Sequence, residues 1–248
     1  MKLTLAEPKL LVDSIGIISE LVNDVQITLD KDKLEIIAMD PANVAMVVYK
    51  LLSSAFSEYN VDGKQRIAVS LDGLKAILRR VKPNDTLTIE LDKEKNKLKI
   101  VLTGDTTRTF HVALLDMEDR EQRVPDLSFP VTVEMPSVVL DEAIQDMDVV
   151  AESVAFVATK GKLIVEAESN LHAAKTEIDE TDEISIKAGA SEMKSKYSVE
   201  YLKKIVKGGK LSAKVGINFG KDYPLLAEYV TKDKVSFSVI LAPRVSND

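Results

Sequence analysis

Apolar and polar residues alternate with period two along most of the chain, and a helical period breaks in four times. In the first half the alternation predicts strands at 25–29, 34–39, 44–51, 66–69, 86–91, 97–103 and 108–115. Residues 1–7 alternate in the same way. The second half predicts strands at 154–158, 163–168, 173–178, 184–187, 211–218, 225–231 and 235–241. Lys31-Asp32 and Glu94-Lys95-Asn96 read as tight hairpin turns. Helical spacing appears first at 9–23, through Leu11, Ile15, Ile18 and Val22, and again at 137–151. A second helix is expected at 71–82, carrying Leu74, Ile77, Leu78 and Val81 and opened by Ser70 as a capping signal. Its counterpart at 199–210 carries Leu202, Ile205 and Val206 and is stopped by Gly208-Gly209.

The second half is a copy of the first. Ser70-Leu71-Asp72-Gly73-Leu74-Lys75-Ala76-Ile77-Leu78 returns as Ser198-Val199-Glu200-Tyr201-Leu202-Lys203-Lys204-Ile205-Val206. Lys33-Leu34-Glu35-Ile36 returns as Lys162-Leu163-Ile164-Val165, and Pro8 as Pro136, at almost the same spacing. Order, spacing and apolar phase are preserved together, which marks a duplicated domain. The expected fold class is α+β: two similar sheet-rich domains, each with two amphipathic helices on one sheet face. The domains are expected at 1–117 and 131–248, joined by a connector at 118–130 that is charged, contains Pro125 and Pro130 and has no clear period.

Composition narrows the chemistry. With no cysteine there is no disulfide, thiolate zinc site or cysteine nucleophile. No apolar run approaches a membrane span and the start lacks a signal-peptide core, so the expected setting is cytoplasmic, without membrane contact. A net charge of −7 argues against a wholly basic nucleic-acid binder, yet leaves room for a local basic surface. The two histidines, His111 and His172, are isolated. There is no Gly-rich phosphate loop and no nucleophile elbow. Asp116, Glu118 and Asp119 read as connector solvation. No catalytic residue, metal site or cofactor is therefore predicted. One alternative stays open, a metal-dependent nuclease or phosphotransfer enzyme using Asp40.

The duplicated domain, the connector and the ending Leu241-Ala242-Pro243-Arg244-Val245 together resemble the proliferating cell nuclear antigen family of DNA sliding clamps. Ala38-Met39-Asp40-Pro41, Thr107-Arg108-Thr109-Phe110 and Ser195-Lys196-Tyr197-Ser198 carry the local likeness, which looks archaeal. The resemblance implies the DNA-clamp fold and a processivity factor. On that resemblance three two-domain subunits would form a ring around duplex DNA, without sequence preference. Partners would be DNA polymerase, clamp loader, flap endonuclease and DNA ligase, with a nucleoid-associated location. The subunits could be identical, or paralogous in a heteromeric clamp.

Three sets of residues follow. Lys75, Arg79, Arg80 and Lys82, and in the second copy Lys203, Lys204, Lys207 and Lys210, lie off the apolar stripes. They suit diffuse attraction to phosphate, which a sliding ring needs in place of base readout. A merely solvated helix face is the alternative, and repetition in both copies weighs against it. The first helices fit less well: 10–30 and 124–159 contain no Lys or Arg, while Asp141, Glu142, Asp146, Asp148 and Glu152 crowd the second copy. By resemblance, a partner-motif groove would use Met39, Asn43, Val44, Val124, Pro125, Leu127, Pro224, Leu241, Ala242, Pro243, Arg244 and Val245. Gln122 and Ile240 depart from the family's usual aliphatic and aromatic residues there. Also by resemblance, the subunit interface would pair 108–115, through Arg108, Phe110, Val112 and Leu114, with 171–178, through Ala173, Ala174, Thr176 and Ile178.

Overall fold

In a computed structural model, which describes residues 1–117 and 122–244, the duplication reappears element by element. The first copy runs β1 (Lys2–Leu5), α1 (Lys9–Ile18), β2 (Asp24–Leu29), β3 (Lys33–Met39), β4 (Ala45–Leu52), β5 (Glu58–Asn60) and β6 (Gln65–Ser70). It ends with α2 (Leu71–Leu78), β7 (Thr86–Asp92), β8 (Lys97–Thr103) and β9 (Thr107–Ala113). The second runs β10 (Val131–Pro136), α3 (Ser137–Asp148), β11 (Ser153–Thr159), β12 (Lys162–Glu168), β13 (Ala173–Asp179), β14 (Ser185–Lys187) and β15 (Met193–Ser198). It closes with α4 (Val199–Ile205), a 3-10 turn (Val206–Lys210), β16 (Lys214–Phe219), β17 (Leu225–Thr231) and β18 (Val235–Leu241).

Strand orders match between copies. The first has β5-β1-β7-β8-β9 and β4-β3-β2-β6; the second has β14-β10-β16-β17-β18 and β13-β12-β11-β15. Single hydrogen bonds repeat too. Leu71 N–H donates to Asn23 O as Val199 N–H does to Glu152 O. Beyond β9, Leu115 N–H donates to Ala68 O on β6; beyond β18, Arg244 N–H donates to Lys196 O on β15.

The chain divides into two compact units. Met1–Pro41, Val47–Val124 and Thr231–Phe237 form one; Ala42–Met46, Pro125–Val230 and Ser238–Asp248 form the other. In the first, alternate residues of both sheets meet the apolar stripes of α1 and α2. Leu3, Leu11, Ile15, Ile27, Leu34 and Leu74 surround a void of about 30 Å³ at that junction. In the second, Phe156 of β11 packs edge-on against Tyr197 of β15 and Phe219 of β16, at 5.6 and 5.9 Å between ring centres. A Cβ on Gly208 would overlap the Tyr229 ring, so glycine is what lets the 3-10 turn lie flat on β17.

The helices stop earlier than their apolar spacing predicts. In α1, Glu20 and Leu21 N–H turn to Ile17 O and Ile18 O, tightening the last turn. Leu21 and Val22 remain buried while the chain bends into β2, so the pattern outlasts the helix. After α2, Arg80 and Val81 make the same tight bonds, ahead of Pro83. Ser70 occupies the N-cap position but makes no side-chain capping bond, which corrects the expected device. Strands β5, β10 and β15 lie outside the predicted set: β5 is only three residues, and the other two run directly into helices, where the period changes. β16 begins at Lys214, because Leu211 and Ser212 still donate to Gly208 O in the 3-10 turn.

Candidate nucleic-acid interface

α2 buries Leu71, Leu74 and Leu78 and thereby turns its basic side chains outward. Lys75 is half-buried, and Arg79, Arg80 and Lys82 are exposed at the helix end. Among the described residues, none of these four side chains forms an ion pair. The helix macrodipole adds partial negative charge at this end, which favours cations there. α4 presents its copy differently. Lys203 pairs with Asp148 of α3 at 2.7 Å, and Lys204 pairs with Glu200 at 3.0 Å while lying 5.3 Å from the Tyr201 ring centre. Lys207 is also engaged, and Lys210 is exposed. α1 carries one cation at its start, Lys9, paired with Asp13.

A buried carboxylate organises the end of α2. Asp85 is 2% exposed. It accepts the Lys82 backbone N–H at 2.6 Å and pairs with the Arg108 guanidinium. The same guanidinium donates to Arg80 O at 2.8 Å. The backbone bond from Lys82 and the charge of Arg108 hold the Asp85 carboxyl below its usual value, against the opposing effect of burial. Gly104, in the β8–β9 turn, has no Cβ to collide with Asp85 Oδ1. Arg108 thus ties β9 to the basic turn after α2. Asp85 is absent from the sequence-based candidates because Pro83-Asn84-Asp85 reads as an ordinary solvated turn.

β9 and β13 are edge strands of their sheets. They share one burial pattern, in which alternate residues are exposed and Val112 and Ile178 are buried. Leu114 N–H donates to Asn96 O, continuing the register that aligns Leu98 with Val112. By antiparallel alternation, the N–H groups of Thr109, His111 and Ala113 point away from β8. Ser169 N–H donates to His172 O and Glu180 N–H to Gly161 O on the β12–β13 ladder. The free edge of β13 therefore belongs to Ala173, Lys175 and Glu177, while Ala174, Thr176 and Ile178 bond inward. Phe110 and Leu114 are half-buried on β9's covered face, and Arg108 is spent on Asp85.

The groove residues are distributed over both units. In the first, Met39 ends β3 and borders a surface hollow of about 350 Å³ with Ile37, Arg66, Met117 and Gln122. Val124 is 45% exposed. In the second, Asn43 takes a left-handed backbone at φ 56°, and Val44 O accepts the Ala242 N–H at 2.9 Å. Pro125 is exposed; Leu127, Pro224, Ala242 and Pro243 are half-buried; Arg244 is exposed. Phe129 packs edge-on against Tyr223 at 5.8 Å. Leu241 is fully buried in β18, so its side chain belongs to the core and not to a groove. Val245, like Glu118 and Asp119, lies outside the described residues.

Among the described residues no group of three or more His, Asp or Glu is arranged to hold a metal ion. His111 and His172 are exposed. Asp40 is buried and already engaged, a poor position for a carboxylate that must reach a substrate. No described helix is long and apolar enough to cross a membrane.

Comparison with known proteins converges on one family. Residues 1–123 match the family model described as "Proliferating cell nuclear antigen, N-terminal domain", and residues 123–244 match its C-terminal counterpart. A "DNA polymerase sliding clamp" of Nanoarchaeum equitans is 34% identical, covering 98% of this chain and 99% of that protein. One of Pyrococcus horikoshii, with the same name, is 36% identical over 92% of this chain and 91% of its own. Among solved structures, PCNA from Thermococcus kodakaraensis superposes with a TM-score of 0.90 at 27% identity, covering 98% of this chain and 99% of that one. A PCNA2–PCNA3 complex from Sulfolobus tokodaii gives 0.88 at 26% identity, with the same coverage. Matched in both halves and along nearly its whole length, this chain belongs to the proliferating cell nuclear antigen family.

Proposed function

We propose that this chain is the subunit of a DNA polymerase sliding clamp, a non-catalytic processivity factor whose three copies close into a ring around duplex DNA. The observation that carries this reading is the duplication itself: each copy supplies a basic second helix, and the chain offers two edge strands, β9 and β13, suited to joining copies. On this reading Lys75, Arg79, Arg80 and Lys82 face the phosphate backbone, joined by Lys203, Lys204, Lys207 and Lys210. The exposed apolar Val124, with Leu127, Pro224 and the tail Ala242–Arg244 (242–244), receives a motif from polymerase, flap endonuclease or ligase, and a clamp loader opens the ring. The Sulfolobus relative, a complex of two different PCNA chains, motivates a second reading, a mixed ring with paralogues. Light scattering on the purified chain separates the two: a three-subunit mass favours the homotrimer, and a smaller mass the mixed ring.

Encirclement has a direct test. The clamp is loaded on a nicked circular plasmid, the complex is isolated by gel filtration, and the plasmid is then cut once. A ring held by topology stays on the circle and leaves the linear product. Equal retention on both forms would mean ordinary static binding and would overturn the proposal.

A further inference from the structure

We infer that the grip on the phosphate backbone is carried mainly by the first unit, through Lys75, Arg79, Arg80 and Lys82, and that two of the second unit's cations, Lys203 and Lys204, are restrained by neighbouring carboxylates. This rests on the clamp reading and divides its DNA surface into unequal halves. In sequence the two quartets coincide at three positions, Lys75 with Lys203, Arg79 with Lys207 and Lys82 with Lys210, yet the structure surrounds them differently. The α2 quartet has no ion-pair partner among the described residues: Asp72, three residues before Lys75 in the same helix, forms no ion pair with it. The α4 quartet meets Asp148 at Lys203 and Glu200 at Lys204, and Lys207 is also engaged. α3 packs against α4 and adds Asp141, Glu142 and Asp146, with no Lys or Arg between 124 and 159.

The physical consequence follows from how cations bind a polyanion. A lysine contributes affinity when its contact with phosphate releases condensed counterions, and that requires uncompensated charge. Lys203 is already compensated. Were it to swing towards a phosphate, the Asp148 carboxylate would stay behind, well inside the screening length of about 8 Å at physiological salt, and repel the same phosphate. The α2 cations have no ion-pair partner among the described residues, and the one carboxylate beside them, Asp85 near Lys82, is already compensated by Arg108. Asp85 and Arg108 additionally fix the backbone that carries Arg80 and Lys82.

The test uses the full-length chain and a short linear duplex, with affinity followed by fluorescence anisotropy from about 50 to about 200 mM salt. Replacing Lys75, Arg79, Arg80 and Lys82 by Gln should weaken binding about tenfold or more at low salt and flatten the salt slope. The same replacement of Lys203, Lys204, Lys207 and Lys210 should cost less than about threefold. Asp148→Asn should tighten binding by about two- to threefold and steepen the slope, because it frees Lys203. Circular dichroism and subunit mass monitor folding, and the single substitutions Arg79→Gln and Lys203→Gln repeat the comparison at minimal perturbation. Equal losses from the two quartets, or an Asp148→Asn variant that binds no better than wild type, would overturn the asymmetry. If neither quartet alters binding, the DNA-facing reading itself fails, and the asymmetry with it.

Discussion

The contact between buried Asp85 and half-buried Arg108 joins an edge strand to a basic turn. Arg108 stands on the edge strand β9, and its guanidinium is divided between Asp85 and Arg80 O, and so sets the turn that presents Arg79, Arg80 and Lys82. Asp85→Asn keeps an oxygen for the Lys82 N–H but replaces the charge that Arg108 faces. It should lower the thermal midpoint at neutral pH. The pH dependence has a definite sign. A carboxyl held below its ordinary value stabilises the fold at pH above about 4, and that contribution is lost as pH falls through the lower folded-state value. The gap between wild type and Asp85→Asn should therefore narrow on acidification below about pH 4, as read by thermal unfolding. A gap that stays constant across that window would show that Asp85 acts by shape and not by charge.

At the scale of elements, repetition was the most legible signal, because duplicated spacing survives changes in individual residues. It predicted both sheet-rich copies and all four helices, and those helices begin where Pro8, Ser70, Pro136 and Ser198 place them. Helix ends were less legible: Leu21 and Val22 keep helical spacing while serving the core from a turn. Basic residues were legible as a face, yet their partners were not, since Asp148 lies far from Lys203 in sequence and meets it only through packing of α3 on α4. The same limit removed Leu241 from the groove, because a tail motif does not reveal which of its residues point into β18's core. Val124 is a better probe of partner docking, being an exposed apolar residue that the fold does not require. Val124→Asp should leave subunit mass and thermal midpoint unchanged and weaken a polymerase-derived motif peptide by about thirtyfold or more, the loss expected of a hot-spot contact worth about 2 kcal/mol. Wild-type peptide affinity in calorimetry would relocate the docking site.

At the scale of the whole molecule, closure depends on edges. Most sheet proteins blunt an exposed edge, and this chain does so at β6 and β15, where Leu115 and Arg244 N–H cover single carbonyls. β9 and β13 are left open, and the direction of their N–H groups specifies how to test them. A proline at Val112 or Ala174 would remove a bond that each strand makes within its own chain, so failure to assemble would be confounded with failure to fold. His111 and Lys175 direct their N–H groups outward, and proline is tolerated at such edge positions. His111→Pro and Lys175→Pro should therefore keep the circular dichroism of the wild type while reducing the mass from three subunits to one. His111→Ala and Lys175→Ala control for side-chain loss, including the Lys175–Glu177 pair that helps hold the Glu177 carboxyl at about 2, and should still assemble. Each proline removes an outward donor and fills the space where a neighbouring strand must lie, so either one alone suffices to break the seam it belongs to. If both proline variants remain trimeric by light scattering, the subunits are joined elsewhere, and β9 and β13 are edges that the assembly leaves to solvent.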